Sequence, residues 1–173
     1  MLPLGHLAVV LLPTTLYALV RDRRLPSGTV TLLLVLGTQL PDLIDKPLAW
    51  TFGVLPSGRM LAHSLVVCLP VLAVLTVVAH RRGRGWLGLL FSVAYLSHLA
   101  GDFYPILYHG TDYYFFPNLF WPLLEANPDS QTSFAAYVPE SGLSLSLWVF
   151  AFGCVMCYGI VSIYRQRGPV APA

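Results

Sequence analysis

Residues 2–20 read LPLGHLAVVLLPTTLYALV, and the charged group Arg21-Asp22-Arg23-Arg24 follows them directly. A transmembrane helix needs about 20 apolar residues, so this run is long enough to cross a bilayer. A cleaved signal peptide begins with a basic region, whereas here the basic residues come after the apolar run. The stretch therefore predicts a first membrane span whose N-terminus lies outside the cell.

The composition of the whole chain indicates the same class of protein. Hydrophobic residues make up 56% of the 173 residues, and charged residues only 10%. A soluble domain carries charge at about 25% of its positions, because its surface has to face water. The net charge of +2 is too small to indicate a nucleic-acid partner. The sequence therefore predicts one domain embedded in membrane lipid.

Four further apolar segments follow the first. They lie at about 25–40, 61–79, 86–107 and 143–163. Lipid cannot satisfy open backbone groups, and the segments lack the alternation of barrel strands, so helices are expected. We expect an all-α, polytopic transmembrane bundle of about five spans within residues 1–167. Its outer loops are expected at 41–60 and 103–142, and a disordered tail at 168–173.

The basic residues predict the orientation of this bundle. Eight of the ten lysines and arginines fall on one side of a five-span chain, namely Arg21, Arg23, Arg24, Arg81, Arg82, Arg84, Arg165 and Arg167. The other side holds Lys46 and Arg59. Cytoplasmic loops carry an excess of Lys and Arg. The bias therefore places the C-terminus in the cytoplasm and the N-terminus outside.

Ionisable side chains near lipid carry a desolvation cost, so those close to the spans are candidate functional groups. Four separate helices deliver such groups to the outer face, namely His6, Asp42, Asp45, His63, His98 and Asp102. His98 and Asp102 are an i, i+4 pair, and Asp42 and Asp45 converge if their turn is helical. Imidazole and carboxylate together bind divalent metals. The set predicts a metal site that faces outside, with zinc favoured over manganese.

Each of these residues also has a purely structural interpretation, which the sequence leaves open. Such a group can be an interfacial polar residue, a turn or cap residue, one member of an ion pair, or part of a buried hydrogen-bonded pair. The first applies to His6, the second to Asp42 and to His63-Ser64, which could simply open a helix. The third applies to Asp45, and the fourth to the pair His98 and Asp102. All of them would have to coincide, so the set as a whole favours the metal site.

An ordered series of motifs resembles a known family. The series is His6, Leu40-Pro41-Asp42-Leu43-Ile44-Asp45, His63-Ser64, Ser97-His98-Leu99-Ala100-Gly101-Asp102 and Phe120-Trp121-Pro122-Leu123. It resembles the YdjM-type family of inner-membrane proteins, which are regarded as metal-dependent hydrolases. The resemblance implies a prokaryotic inner or plasma membrane. Lys46 stands where the family often has histidine, and Gly58-Arg59-Met60 precedes His63-Ser64 where the family often has His-Arg-Gly.

A second, more distant similarity concerns the order of candidate ligands. The order of histidine and aspartate, ending in His-x-x-x-Asp, is similar to the ligand order of zinc-dependent phospholipase C. That similarity implies Asp42, His63, His98 and Asp102 as ligands of zinc, with His6 on a neighbouring metal. It rests on motif order alone.

The first functional hypothesis is a metal-dependent hydrolase. A metal-bound water would be the nucleophile, and Asp45 would be the catalytic general base or would orient a ligand. A site at the lipid interface, beneath the aromatic outer loop 103–142, favours a phosphoester of a lipid or lipid-linked substrate. His109 could supply a further ligand or substrate contact, whereas Asp112 and Glu125 could reach the site only if this loop folds back.

Two other hypotheses stay open. In the second, the metal or polar cluster staples the outer ends of the helices, and the protein is a non-catalytic membrane interaction or assembly factor. A closed site with four protein ligands would favour it. In the third, the protein is a small transporter or proton relay, which predicts ionisable residues at several depths rather than at one end.

Overall fold

The computed structural model describes residues 3–129 and 145–166. Within these ranges the chain is helical, which confirms the all-α class. The α-helices are α1 (Pro3–Asp22), α2 (Gly28–Lys46), α3 (Leu65–Arg81), α4 (Gly85–Phe103), α5 (Ile106–His109) and α6 (Leu145–Gln166). Short π or 3-10 turns lie at Pro47–Thr51, Gly110–Asp112 and Pro117–Phe120. The predicted tail at 168–173 and the end of the predicted loop 103–142 fall outside the described residues.

Five of these helices coincide with the five apolar segments of the sequence. Of the helices within the described ranges, none combines the length and the apolar character that crossing a membrane requires. The five spans and their orientation stay a prediction.

Helix α2 extends further than the apolar pattern indicates. The connection to the next segment is expected to start at Pro41, but α2 continues through this proline to Lys46. The added turns contain the ion pair between Asp42 and Lys46, whose i, i+4 spacing supports a helix. The extension places Asp42 and Asp45 on one buried helical face, where both can contribute to a site.

Helix α2 is also the element around which the bundle packs. It contacts α1, α4 and α6, and α3 packs against α4. Close approach depends on glycine: a Cβ at Gly37 would lie 2.7 Å from the Cβ of Ala94 on α4. A Cβ at Gly28 would lie 2.3 Å from the carbonyl oxygen of Gly159 on α6. The backbones therefore meet more closely than side chains on both helices would allow.

The segment after α4 folds back over the loop that joins α2 to α3. The side chain of Asn118 donates to Ser57 Oγ at 3.2 Å and to the carbonyl of Asn127 at 3.0 Å. Asp129 Oδ2 accepts from the backbone N–H of Gly58 at 2.5 Å. These contacts hold the α2–α3 loop against the end of the bundle where the candidate site lies.

Candidate metal centre

Four side chains from three parts of the fold meet at one end of the bundle. They are Asp42 on α2, His63 just before α3, and His98 and Asp102 on α4. Each offers one ligand atom, and these atoms all lie within 4.8 Å of one another. All four residues are buried. Four of the six predicted site residues therefore form one compact cluster.

Hydrogen bonds on the far side of both histidines turn their Nε2 atoms toward the centre of this cluster. His63 Nδ1 lies 2.9 Å from Asp45 Oδ2, and His98 Nδ1 lies 2.5 Å from the carbonyl oxygen of Thr38. Both partners are acceptors, so each Nδ1 carries a proton and each neutral ring has a bare Nε2. The two Nε2 atoms face each other at 3.1 Å. Two lone pairs at that distance repel unless a proton or a metal ion lies between them.

The carboxylate distances fit a metal of the size of zinc. Asp42 Oδ1 lies 3.6 Å from the Nε2 atoms of His63 and of His98. Asp102 Oδ2 lies 3.6 Å and 3.8 Å from the same two atoms. Bonds of about 2.0–2.2 Å in a tetrahedron require ligand separations of roughly 3.3–3.6 Å. The four separations between a carboxylate oxygen and an imidazole nitrogen therefore lie within a few tenths of an ångström of that range.

One acceptor in the cluster lacks a hydrogen bond. Asp42 Oδ1 is fully buried and makes none within the described residues. Burying a carboxylate oxygen without a partner is unfavourable, and native proteins seldom leave such groups unsatisfied. This orphaned oxygen points at the same place as the two bare imidazole nitrogens. The donor set therefore fits a divalent cation on its chemistry as well as on its distances.

Each carboxylate also pairs with a basic side chain, and for Asp102 the paired oxygen is the same Oδ2 that faces the two histidines. Lys46 Nζ lies 2.5 Å from Asp42 Oδ2, and Arg59 Nε lies 3.1 Å from Asp102 Oδ2. Burial alone lowers the pKa of Arg59, but the charge and hydrogen bond of Asp102, together with the charge of Asp129, outweigh it and raise this pKa. Both basic residues thereby keep the ligand carboxylates ionised.

The carboxylates around His63 favour a positive charge on its ring. Burial by itself lowers the pKa of this histidine, but hydrogen bonds with Asp102, Asp42 and Asp45 raise it to about 10. A proton on His63 and a metal at its Nε2 are alternative ways to supply that charge. Metal binding at this site would therefore displace a proton.

Asp45 organises the loop that carries His63. Its carboxylate accepts from the backbone N–H groups of Met60 at 2.9 Å, Ala62 at 2.8 Å and His63 at 3.2 Å, besides the His63 ring. The residue is completely buried. Both oxygens are engaged, so the geometry favours the orienting role over that of a general base.

His6 lies beside the cluster rather than inside it. Its ring stacks on that of His98, with centroids 3.9 Å apart and planes inclined by 23°. His6 Nε2 lies 3.0 Å from Asp102 Oδ1, but neither nitrogen of this buried ring makes a hydrogen bond within the described part of the chain. Asp102 therefore faces the other cluster residues with Oδ2 and the under-satisfied imidazole of His6 with Oδ1.

The outer loop contributes different residues from those that the sequence indicates. His109, Asp112 and Glu125 are exposed. The loop instead supplies Asn118, which is fully buried, and Asp129. Neither residue stands in a recognisable motif, because each contacts the α2–α3 loop across 61 or more residues of sequence.

Two of the ordered motifs meet at the start of α3. The Ser64 hydroxyl donates to the carbonyl oxygen of Trp121, and Ser64 also caps α3 by accepting from the N–H of Val67. A serine at this position satisfies a free helix donor and anchors the loop at once. The His-Ser pair thus supplies a candidate ligand from one residue and a structural contact from the next.

Comparison with known proteins identifies the family. The model of the YdjM inner membrane protein family matches residues 1–169, which confirms the family that the ordered motifs indicate. Neither a curated protein nor a solved structure matches the chain.

Proposed function

We propose that this chain, which belongs to the YdjM inner membrane protein family, is a metal-dependent hydrolase. We propose zinc, or else manganese, as the metal and a phosphoester of a lipid or lipid-linked molecule as the substrate. One observation carries the proposal: two bare imidazole nitrogens and two carboxylate oxygens converge on one buried point. A set of four mixed nitrogen and oxygen ligands is typical of zinc.

The residues of the chain have separate tasks in this proposal. When bound, the metal supplies a Lewis acid and a water of lowered pKa. Asp42, His63, His98 and Asp102 hold the metal. Asp45 is a positioning residue, because it fixes the ring and the tautomer of His63.

His6 has a further place in the same proposal. Its nitrogens make no hydrogen bond within the described residues, and Asp102 Oδ1 lies between this ring and the cluster. We therefore propose His6 as a ligand of a neighbouring ion that shares Asp102. A second ion at this position would form a two-metal site of the kind that phosphoesterases use.

We also propose that the five long helices span the membrane, with the metal centre facing outside and the C-terminus in the cytoplasm. Large apolar side chains on the outside of the bundle support this, among them Leu12, Val20 and Val74, which are 69%, 75% and 62% exposed. A surface of this kind needs a non-aqueous neighbour. Membrane lipid is then the immediate partner of the protein.

The first experiment is metal analysis of the full-length protein purified in detergent. We expect about one equivalent of zinc or manganese per site, and its loss in His98→Ala and Asp42→Asn, because each change removes one of four ligands. His109→Ala is the matched control, since this histidine is exposed. Metal retained in both ligand variants, or a folded wild-type protein that takes up none, would contradict the proposed centre.

Turnover then separates catalysis from metal binding. Hydrolysis of short-chain phosphatidic acid or of an aryl phosphate should disappear on chelation and return with zinc. The absence of hydrolysis in a metal-loaded protein would contradict the hydrolase but not the centre.

One observation favours a second candidate function. The four ligands are all protein groups, and both carboxylates already pair with basic side chains, Asp42 Oδ2 with Lys46 and Asp102 Oδ2 with Arg59. A closed site of this kind is typical of structural metals. In that case the metal joins α2, α3 and α4 in an interaction or assembly protein. Chelation would then lower the melting temperature, and no substrate would be turned over.

A further inference from the structure

Arg59 occupies the boundary between the metal centre and the outside of the protein. Its Nε donates to Asp102 Oδ2 at 3.1 Å, so it touches one of the candidate ligand atoms. Its side chain is 20% exposed, whereas those of the four candidate ligands are at most 9% exposed. Lys46, the other cation at the centre, is buried at 7%. Among these residues Arg59 is therefore the one that a molecule approaching the centre would meet.

The guanidinium of Arg59 is held on two sides and leaves one edge available. Its central carbon lies 5.0 Å from the centroid of the Phe115 ring, which adds a cation–π contact. Nε is taken by Asp102, while Nη1 and Nη2 make no hydrogen bond within the described residues. These two groups carry four N–H donors in a plane, which is the arrangement that binds two oxygens of an anion at once.

The backbone around Arg59 is fixed by three side-chain acceptors. The N–H of Gly58 donates to Asp129 at 2.5 Å, that of Arg59 to Ser57 Oγ at 3.1 Å, and that of Met60 to Asp45 at 2.9 Å. Three consecutive donors are thus satisfied by side chains of other segments or of the same loop. This restraint exceeds what neutralising Asp102 would need, because any nearby positive charge would neutralise it. A guanidinium held this firmly loses little entropy when it binds a ligand.

Position 58 leaves little room for a side chain in this arrangement. A Cβ there would lie 3.0 Å from Asp129 Oδ2 and 3.1 Å from the ring of Trp50. Trp50 itself donates to Asp129 Oδ2 at 3.1 Å. The backbone just before Arg59 is therefore packed against a side chain that also anchors the outer loop.

We propose that Arg59 is the phosphate-binding residue of this site, its Nη edge holding two oxygens of a phosphate group that lies against the metal centre. The inference rests on the proposed function and assigns the substrate class of that same centre to a particular residue. A planar guanidinium matches phosphate with two parallel bonds, which a lysine ammonium cannot provide. The phosphate can belong to a lipid headgroup or to a free ion, since the recognising chemistry is shared.

The test is titration calorimetry on metal-loaded, full-length protein in detergent, with inorganic phosphate as the probe. We expect Arg59→Lys to weaken phosphate binding by at least about tenfold, because the paired bonds are lost while the charge beside Asp102 is kept. Metal content, measured on the same samples, should stay at the wild-type level. Arg81→Lys is the matched control, because this arginine is exposed at the far end of α3.

Two further ligands distinguish the source of the phosphate. Dihexanoyl phosphatidic acid that binds more tightly than inorganic phosphate, with the same loss in Arg59→Lys, would support a lipid-borne group. Equal affinities would support recognition of the phosphate alone. Dihexanoylglycerol lacks phosphate and should not compete; if it competed as well as phosphatidic acid, the inference would be overturned.

The role of Arg59 and the proposed function can be refuted independently of each other. Phosphate affinity in Arg59→Lys within about twofold of wild type, at full metal content, would overturn it and leave the metal centre intact. If the wild-type protein takes up no metal, the titration is made on the metal-free protein. Phosphate binding that still depends on Arg59 would then support the subsite, and binding that does not would overturn it.

Discussion

At the level of single residues, Asp45 shows how one carboxylate can prepare a ligand without being one. It accepts four hydrogen bonds from a loop 15–18 residues further along the chain, one of them from the ring of His63. A hydrogen bond to a charged group contributes about 1.5–3 kcal/mol. Asp45 therefore stabilises the loop and selects the tautomer in which Nε2 of His63 is bare.

Asp45→Asn should weaken both functions of this residue. An amide has one acceptor oxygen in place of two, and its NH2 group would face backbone donors. We expect a loss of metal affinity of about 10–100-fold and a fall in stability of at least about 2 kcal/mol. Metal titration and thermal unfolding in detergent would measure these effects.

The control for this change is Asp112→Asn, an exposed aspartate in the outer loop. Wild-type metal affinity in both variants would show that Asp45 does not orient a ligand. Reduced stability with unchanged affinity would limit Asp45 to holding the loop.

At the level of elements, the contact of α2 with α6 depends on the absence of side chains. The N–H of Gly28 donates to Ser162 Oγ at 3.1 Å, and the two backbones approach at Gly28 and Gly159. A Cβ at Gly159 would in turn lie 2.6 Å from the Leu32 side chain. Small residues that let helix backbones approach are typical of membrane helix pairs.

Gly28→Ala should force these helices apart. The added Cβ would meet the carbonyl oxygen of Gly159, which is backbone and cannot rotate away. We expect a destabilisation of about 1–3 kcal/mol, the usual range for overpacking. Unfolding by sodium dodecyl sulfate or by heat would measure it.

Gly153→Ala is the matched control on α6, because a Cβ there meets nothing within 4 Å. This variant should be neutral or up to about 1 kcal/mol more stable, since alanine favours a helix. Equal stability of the Gly28 and Gly153 variants would mean that the two helices do not pack as described.

At the level of the whole molecule, charge is separated along the bundle. The candidate centre lies where α2 and α4 end and α3 begins. Arginines lie at the opposite ends, with Arg21 in the last turn of α1 and Arg81 in the last turn of α3. The proposed orientation follows from this separation, because basic ends stay in the cytoplasm.

Cysteine labelling tests this orientation. Tyr108→Cys, at an exposed position near the candidate centre, should react with a membrane-impermeant maleimide in spheroplasts. Arg82→Cys, in the exposed turn between α3 and α4, should react only after permeabilisation. Both variants would carry Cys154→Ala and Cys157→Ala, because these two thiols are exposed. The reverse labelling pattern would refute the orientation.

The sequence by itself determined the helical class, the positions of five long helices and the family, because apolar length and motif order are properties of neighbouring residues. It also determined which ionisable residues to consider, since burying each of them carries a cost that lipid does not offset. Asp42, His63, His98 and Asp102 were all among these candidates.

Only the tertiary structure decided which atoms face one another and which residues support them. The continuation of α2 through Pro41, the orienting contacts of Asp45 and the place of His6 outside the four-atom cluster are results of packing. Arg59 meets Asp102 across 43 residues, and Asp129 meets Gly58 across 71. Such hydrogen bonds join segments that are adjacent only after the helices have packed, so no local pattern in the chain could predict them.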